Sequence, residues 1–182
     1  DEALADLEKA MALEPENQFL FVDRARTRLA AGHLEPAYDD AMTLAGLLPQ
    51  MPFPYDLMGQ VRWWQGDYQK AVDLHQRALD RTSTEYGQPG AGRGEILAHL
   101  ALAERMNGDP DSAARHLEEA IELRQDHPAA SDYLLLGTLF HETGRTSEAA
   151  GAFRRATSLD PKIVVGDAAR DTPAGAAEQS LA

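Results

Sequence analysis

Apolar residues recur three and four positions apart along most of the chain, as in Leu4, Leu7, Ala10 and Met11 or in Leu97, Leu100 and Ala101. This spacing lines up one face of an α-helix. No stretch of any length alternates with period two, so strands are not expected. The pattern predicts helices over 2–14, 18–31, 35–48, 53–65, 68–82, 94–107, 110–125, 130–143 and 146–159, joined by short links that imply stacked antiparallel pairs. The stops have physical causes. Glycines 32, 66, 108 and 144 suit the left-handed residue just past a helix end. At the next start, the Asp109 side chain can cap free N–H groups while Pro110 fills a position whose N–H is not needed. Pro15, Pro49, Pro128 and Pro161 fall at or just past the second helix of a pair, because inside it each would clash with the preceding turn.

The helices also repeat. Gly32, Gly66, Gly108 and Gly144 each stand five residues before an alanine (Ala37, Ala71, Ala113, Ala149), and successive glycines are 34, 42 and 36 residues apart. A near-constant period of this size marks a repeat array. In the last copy, Tyr133, Leu136, Gly137, Phe140, Gly144, Ala149, Phe153, Ala156 and Pro161 have the residue types and spacings of a tetratricopeptide repeat, which the chain resembles. The copy before the longer spacing matches at Tyr55, Gly59, Gly66, Tyr68, Ala71 and Ala78, with Met58 in place of leucine. A weaker copy runs from Phe21 through Ala25, Gly32, Ala37 and Leu44 to Pro49, and Ala3, Leu7, Ala10 and Pro15 match only the second half of a unit. The resemblance implies an all-α, right-handed α–α superhelix of about four helix pairs plus an N-terminal orphan helix. Its repeats would occupy 18–51, 52–93 with a loop insertion, 94–129 and 130–163, within a helical domain over 1–163. The small residues Gly59, Gly137, Ala71 and Ala149 would let neighbouring helices approach, with Tyr55, Tyr133, Phe140 and Phe153 filling the gaps beside them.

Composition narrows the functions open to such an array. With 182 residues, 43% apolar and 26% charged, the chain can bury a core without disulfides or metals. The net charge of −13, from 30 acidic and 17 basic residues, disfavours nucleic acid and anionic membranes as partners. With 0 cysteines there is no thiolate chemistry and no indication of redox compartment. No signal peptide or membrane span is visible, and a cytoplasmic location is the expectation. Because the chain begins at Asp1 without a methionine, further sequence upstream is expected.

Catalytic, cofactor and metal sites are not expected. GQPGAGRG, containing Gly87, Gly92 and Arg93, lacks the Lys-Ser/Thr ending of a phosphate loop and follows a helix rather than a strand. None of His33, His75, His99, His116, His127 and His141 has a second histidine three or four residues away on one helix.

The resemblance places function on the concave face, formed by the first helix of each pair. Its inward positions hold Phe19, Val22, Arg26 and Leu29, then Phe53, Asp56, Gln60 and Trp63, then Glu95, Ala98, Leu102 and Arg105, and finally Ser131, Leu134, Thr138 and His141. The candidate groove residues are Phe19, Arg26, Phe53, Gln60, Trp63, Leu102, Arg105 and His141, with Trp63, Arg26 and Arg105 as anchors. Either arginine could instead pair internally with Asp23, Asp56 or Glu104. Trp63 and Trp64 point about 100° apart on a helix, so at most one can be core. The Lys and Asn pattern by which some members of the family clamp a C-terminal carboxylate is absent, since Val22, Arg26, Asp56, Gln60 and Ala98 stand there.

The stretch from Thr82 to Arg93 reads as a tolerated loop, or as a hinge or lid with Tyr86 as a contact. Beyond Ile163 the Ala/Gly-rich tail over 164–182 is poor in residues to bury. Ile163, Val164 and Val165 could cover the last pair, while the orphan first helix would expose Leu4, Leu7 and Met11. The sequence therefore predicts a non-catalytic adaptor that captures a peptide or helix of a partner protein, with self-association through the uncapped termini as a further possibility. The alternative is a ligand-sensing or regulatory segment of a larger bacterial signalling or transcription regulator.

Overall fold

The computed structural model describes residues 2–82, 92–124 and 129–163. The loop readings of Tyr86 and Gly87, Pro128 and His127, and the docking of Val164 and Val165 lie outside the described residues. Among the described residues there are nine helices and no strand. The chain divides into two compact units, Asp1–Pro89 and Gly90–Ala182.

The first unit holds α1 (Glu2–Leu13), α2 (Gln18–Ala30), α3 (Leu34–Leu47), α4 (Phe53–Trp64) and α5 (Tyr68–Leu79). Here α2 pairs with α3 and α4 with α5, α3 packs on α4, and α1 lies against α2. The second unit holds α6 (Arg93–Met106), α7 (Pro110–Leu123), α8 (Ala130–Glu142) and α9 (Thr146–Leu159). In it α6 pairs with α7, α8 with α9, and α7 packs on α8. Each α5 and α6 boundary has a local cause. The hydroxyl of Thr82 donates to the Leu79 carbonyl at 2.7 Å, so α5 closes in a turn three residues before the predicted end. Gly92, at φ 82°, sets the start of α6.

Four pairs are closed by the same device. After α2, the Gly32 N–H donates to the Leu29 carbonyl and the His33 N–H to Arg28, at 3.0 and 2.8 Å. The equivalent bonds recur at Gly66 and Asp67, Gly108 and Asp109, and Gly144 and Arg145. All four glycines have φ between 75° and 88°, where a Cβ would be strained. This turn satisfies carbonyls at the end of each first helix and reverses the chain in three residues.

The cores are built from alanine and leucine. Ala25, Ala37, Ala41, Leu44, Ala71 and Ala78 are buried in the first unit, and Leu97, Leu100, Ala101, Leu117, Leu139 and Ala156 in the second. Packing across each pair follows a sixteen-residue offset that starts from a small residue of the first helix. A Cβ on Gly59 would lie 2.6 Å from the His75 ring, and one on Gly137 would lie 2.6 Å from the Phe153 ring. Ala101 and Leu117 stand at the same offset, both fully buried, as do Ala25 and Ala41. His75 therefore fills the space that Phe153 fills in the last pair. In α1 no residue is fully buried, and Leu4, Leu7 and Met11 are half-covered.

The start of α7 illustrates how capping couples to pH. Asp109 accepts from the Ser112 N–H at 3.1 Å, and Pro110 occupies the first helical turn. The Ser112 side-chain hydrogen bond, followed by the backbone one, holds the Asp109 carboxyl below its ordinary value of 3.8. A depressed carboxylate contributes stability that is present above the unfolded value and is lost as pH falls through the folded one. Asp109→Ala is expected to cost about 1 kcal/mol at neutral pH. In thermal melts of the full chain, the gap between variant and wild type should close as pH drops below 3.8.

Candidate partner-binding surfaces

In the first unit the predicted groove residues divide into free and engaged side chains. Phe19 follows Asn17, whose side chain accepts from the Phe19 N–H at 3.1 Å, and its ring is 76% exposed. Arg26, seven residues on and therefore on the same helix face, is exposed and makes no hydrogen bond or ion pair among the described residues. Val22, by contrast, belongs to the core. On α4, Phe53 and Gln60 are half-buried. The Gln60 amide donates to Asp56 Oδ2 at 2.8 Å, and Asp56 Oδ1 lies 2.9 Å from His75 Nδ1. Asp56 is thus tied to the core histidine, and Gln60 is tied to Asp56.

The tryptophans part as the helical geometry requires. Trp63 is half-buried, packed edge-on to Trp64 at 5.1 Å and to Tyr68 at 6.5 Å, and its indole Nε1 is buried without an acceptor among the described residues. Trp64 is 64% exposed. Trp64, left out of the sequence-predicted set, is therefore the more accessible aromatic. Its signal was its place at the end of α4, two residues before the glycine of the turn.

The sequence also left unread a three-residue ionic cluster in the first unit. Arg24 Nη2 donates to Asp40 Oδ1 and Arg28 Nη1 to Asp40 Oδ2, both at 2.7 Å, and Arg24 Nε adds a bond at 3.1 Å. Asp40 is almost wholly buried between α2 and α3. The legible signal was the pair of arginines four apart, with Asp40 at the same sixteen-residue offset from Arg24 that sets the core contacts. Arg26, between them in sequence, faces away from both.

In the second unit Leu102 on α6 and His141 on α8 are half-buried. Arg105 is not paired with Glu104, because Glu104 turns towards α7 and lies 2.8 Å from His116 Nδ1. Its partner is Glu142 at the end of α8. Arg105 Nε reaches both carboxylate oxygens at 3.1 Å, and Nη2 reaches Oε1 at 2.6 Å. This bond to Glu142 raises the affinity of the guanidinium for its proton. At the start of α8, burial pushes the Asp132 carboxyl up, opposed by Arg124, whose Nη1 lies 3.2 Å away. Thr138 turns its hydroxyl inward, donating to the Leu134 carbonyl at 2.9 Å.

No helix among the described residues is long and apolar enough to cross a membrane. Helix pairs of this kind, closed by the same glycine turn and packed through a Gly or Ala of the first helix, define an all-α helical-repeat protein. A family model described as tetratricopeptide repeat matches residues 54–126, and a second of the same description matches residues 99–162. Together they span more than half of the chain, and the chain belongs to the tetratricopeptide repeat family. This fold is a protein-interaction scaffold. Among solved structures the chain is similar to MamA at 19% identity, covering 87% of each chain with a TM-score of 0.69. It is also similar to YrrB, described as a TPR protein with an unusual peptide-binding site, at 21% identity, covering 85% of this chain and 75% of that one with a TM-score of 0.67. A third likeness is to the APC/C hetero-tetramer Cut9–Hcn1, at 16% identity and TM-score 0.84, over 94% of this chain and 32% of that one. At these identities the likeness is one of fold. A search of curated proteins finds no match.

Proposed function

We propose that the chain is a non-catalytic adaptor that captures a peptide segment or helix of a partner protein on the first helices of its repeats. The first unit offers Phe19, Arg26, Phe53 and Trp63, with Trp64 beside them, and the second offers Leu102, Arg105 and His141. The observation that carries this reading is on α2, where a phenylalanine ring 76% exposed shares a helix face with an arginine that has no anion among the described residues. Neither side chain is buried in the fold, whereas aromatic and arginine side chains dominate interface energetics. The described relative YrrB, a tetratricopeptide repeat protein with a peptide-binding site, supports a peptide as the partner.

Peptides selected from a random library on the wild-type chain provide the test. A Phe53→Ala/Trp63→Ala variant, verified as folded by circular dichroism, is expected to bind them about thirtyfold more weakly, the loss typical of truncating a hot spot. Met42→Ala, at an exposed position of the second helix α3, should bind as wild type does. The reverse pattern, with loss only in Met42→Ala, would contradict the reading.

A further inference from the structure

The two orienting arginines of the proposed surfaces are in different states. Arg26 has no partner among the described residues, whereas the guanidinium of Arg105 is already gripped by a carboxylate. The grip has the forked geometry that an arginine offers to a carboxylate ligand, with two bonds at 3.1 Å and one at 2.6 Å. The carboxylate comes from another repeat, across 37 residues of sequence. The acid next to Arg105 in the chain, Glu104, is committed to His116 at 2.8 Å and is almost buried.

The register of the repeats adds a second observation. Glu142 stands two residues before Gly144, as Trp64 does before Gly66 and Met106 before Gly108. Trp64 and Met106 extend into solvent, 64% and 44% exposed. Glu142 instead turns its carboxylate to Arg105, and the two side chains are 36% and 33% exposed. Water therefore reaches the pair from outside. An ion pair at this level of exposure contributes little to stability, so exchanging one carboxylate for another costs little.

From this we propose that Glu142 is an internal competitor: it occupies Arg105 until a carboxylate of the partner displaces it, so that the α6–α8 surface selects acidic peptide segments. The proposal rests on the peptide-binding reading above and deepens it by naming the chemistry of the ligand. It also accounts for an otherwise adverse feature, an acid-binding position in a chain of net charge −13. A carboxylate of the chain itself keeps that position neutral when it is empty, and an acidic segment that also offers apolar contacts to Leu102 can outbid it.

The test uses the full chain and a short labelled peptide of repeated Phe-Glu-Ala-Glu units, beside its counterpart with glutamine for glutamate. Binding is read by fluorescence anisotropy at low ionic strength, where exposed charge pairs are least screened. Glu142→Gln should tighten binding of the acidic peptide about threefold to fivefold, the range a surface ion pair can supply, and leave the glutamine peptide unchanged. Adding Arg105→Gln should abolish that gain. A gain that survives Arg105→Gln would assign it to net charge and overturn the proposal, as would no gain at all. If every variant binds both peptides equally, the competitor role fails while peptide binding stands. If no variant binds either peptide while library-selected peptides do bind, this proposal fails alone; if those also fail to bind, both fail.

Discussion

Asp40→Ala is expected to destabilise the first unit by about 3 kcal/mol, which would be the largest effect of any single polar substitution there. The carboxylate is 5% exposed and holds two guanidinium groups that are themselves only 19% and 20% exposed. Removing it leaves two neighbouring positive charges between α2 and α3 with no anion. The cost is that of uncompensated charge, so the pair is not itself a large source of stability. Replacing all three residues by apolar ones, as in Arg24→Met/Arg28→Met/Asp40→Leu, should therefore recover most of the loss. Both tryptophans of the chain lie in α4, so their fluorescence during urea unfolding follows the first unit. An Asp40→Ala midpoint equal to wild type would show that the cluster is solvated rather than buried.

Gly137→Ala is the second large effect, on the second unit. The added methyl group would sit 2.6 Å from Phe153 Cδ1 and Cε1 and 3.0 Å from Cγ. Phe153 is only 5% exposed, so a close-packed interior leaves its ring little room to move aside. Overpacking of this kind costs about 1–3 kcal/mol, and at a contact of 2.6 Å to a buried ring it outweighs the gain of about 0.5–1 kcal/mol that alanine brings over glycine in a helix. The neighbouring repeat indicates the rescue, because it combines Ala101 with Leu117 at the same offset. Gly137→Ala/Phe153→Leu should therefore be more stable than the sum of its single variants, a coupling measurable in a double-mutant cycle. Thermal unfolding followed by circular dichroism provides the values.

The fold was legible because its signals are local. Glycine closes the first helices, proline marks the ends of second helices, and a small residue stands at the packing position of each first helix. Each of these follows from a residue's own sterics, so one sequence suffices to place it. His75 was harder to read, because a histidine in an apolar stripe can be core or surface. Its burial is decided by Gly59, sixteen residues earlier, and by Asp56, which supplies a polar partner.

The candidate surfaces were legible only in part. Helical periodicity says which way Arg26 and Arg105 point, and both lie on the expected helices. It does not say which carboxylate will reach them. Arg105 meets Glu142 because two repeats bring α6 and α8 together, and Arg26 misses Asp40 because Arg24 and Arg28 face it instead. The same limit applied to the tryptophans. The angle between Trp63 and Trp64 could be computed from the helix, but the half-burial of Trp63 depends on Tyr68 from the next helix.

Hydrogen exchange on the full chain, with and without a saturating selected peptide, tests most directly whether partners bind to the first helices. The account predicts new protection in α2, α4, α6 or α8, centred on Phe19, Arg26, Trp63, Leu102 and Arg105. Protection confined to α3, α5, α7 and α9, with these segments unchanged, would contradict it.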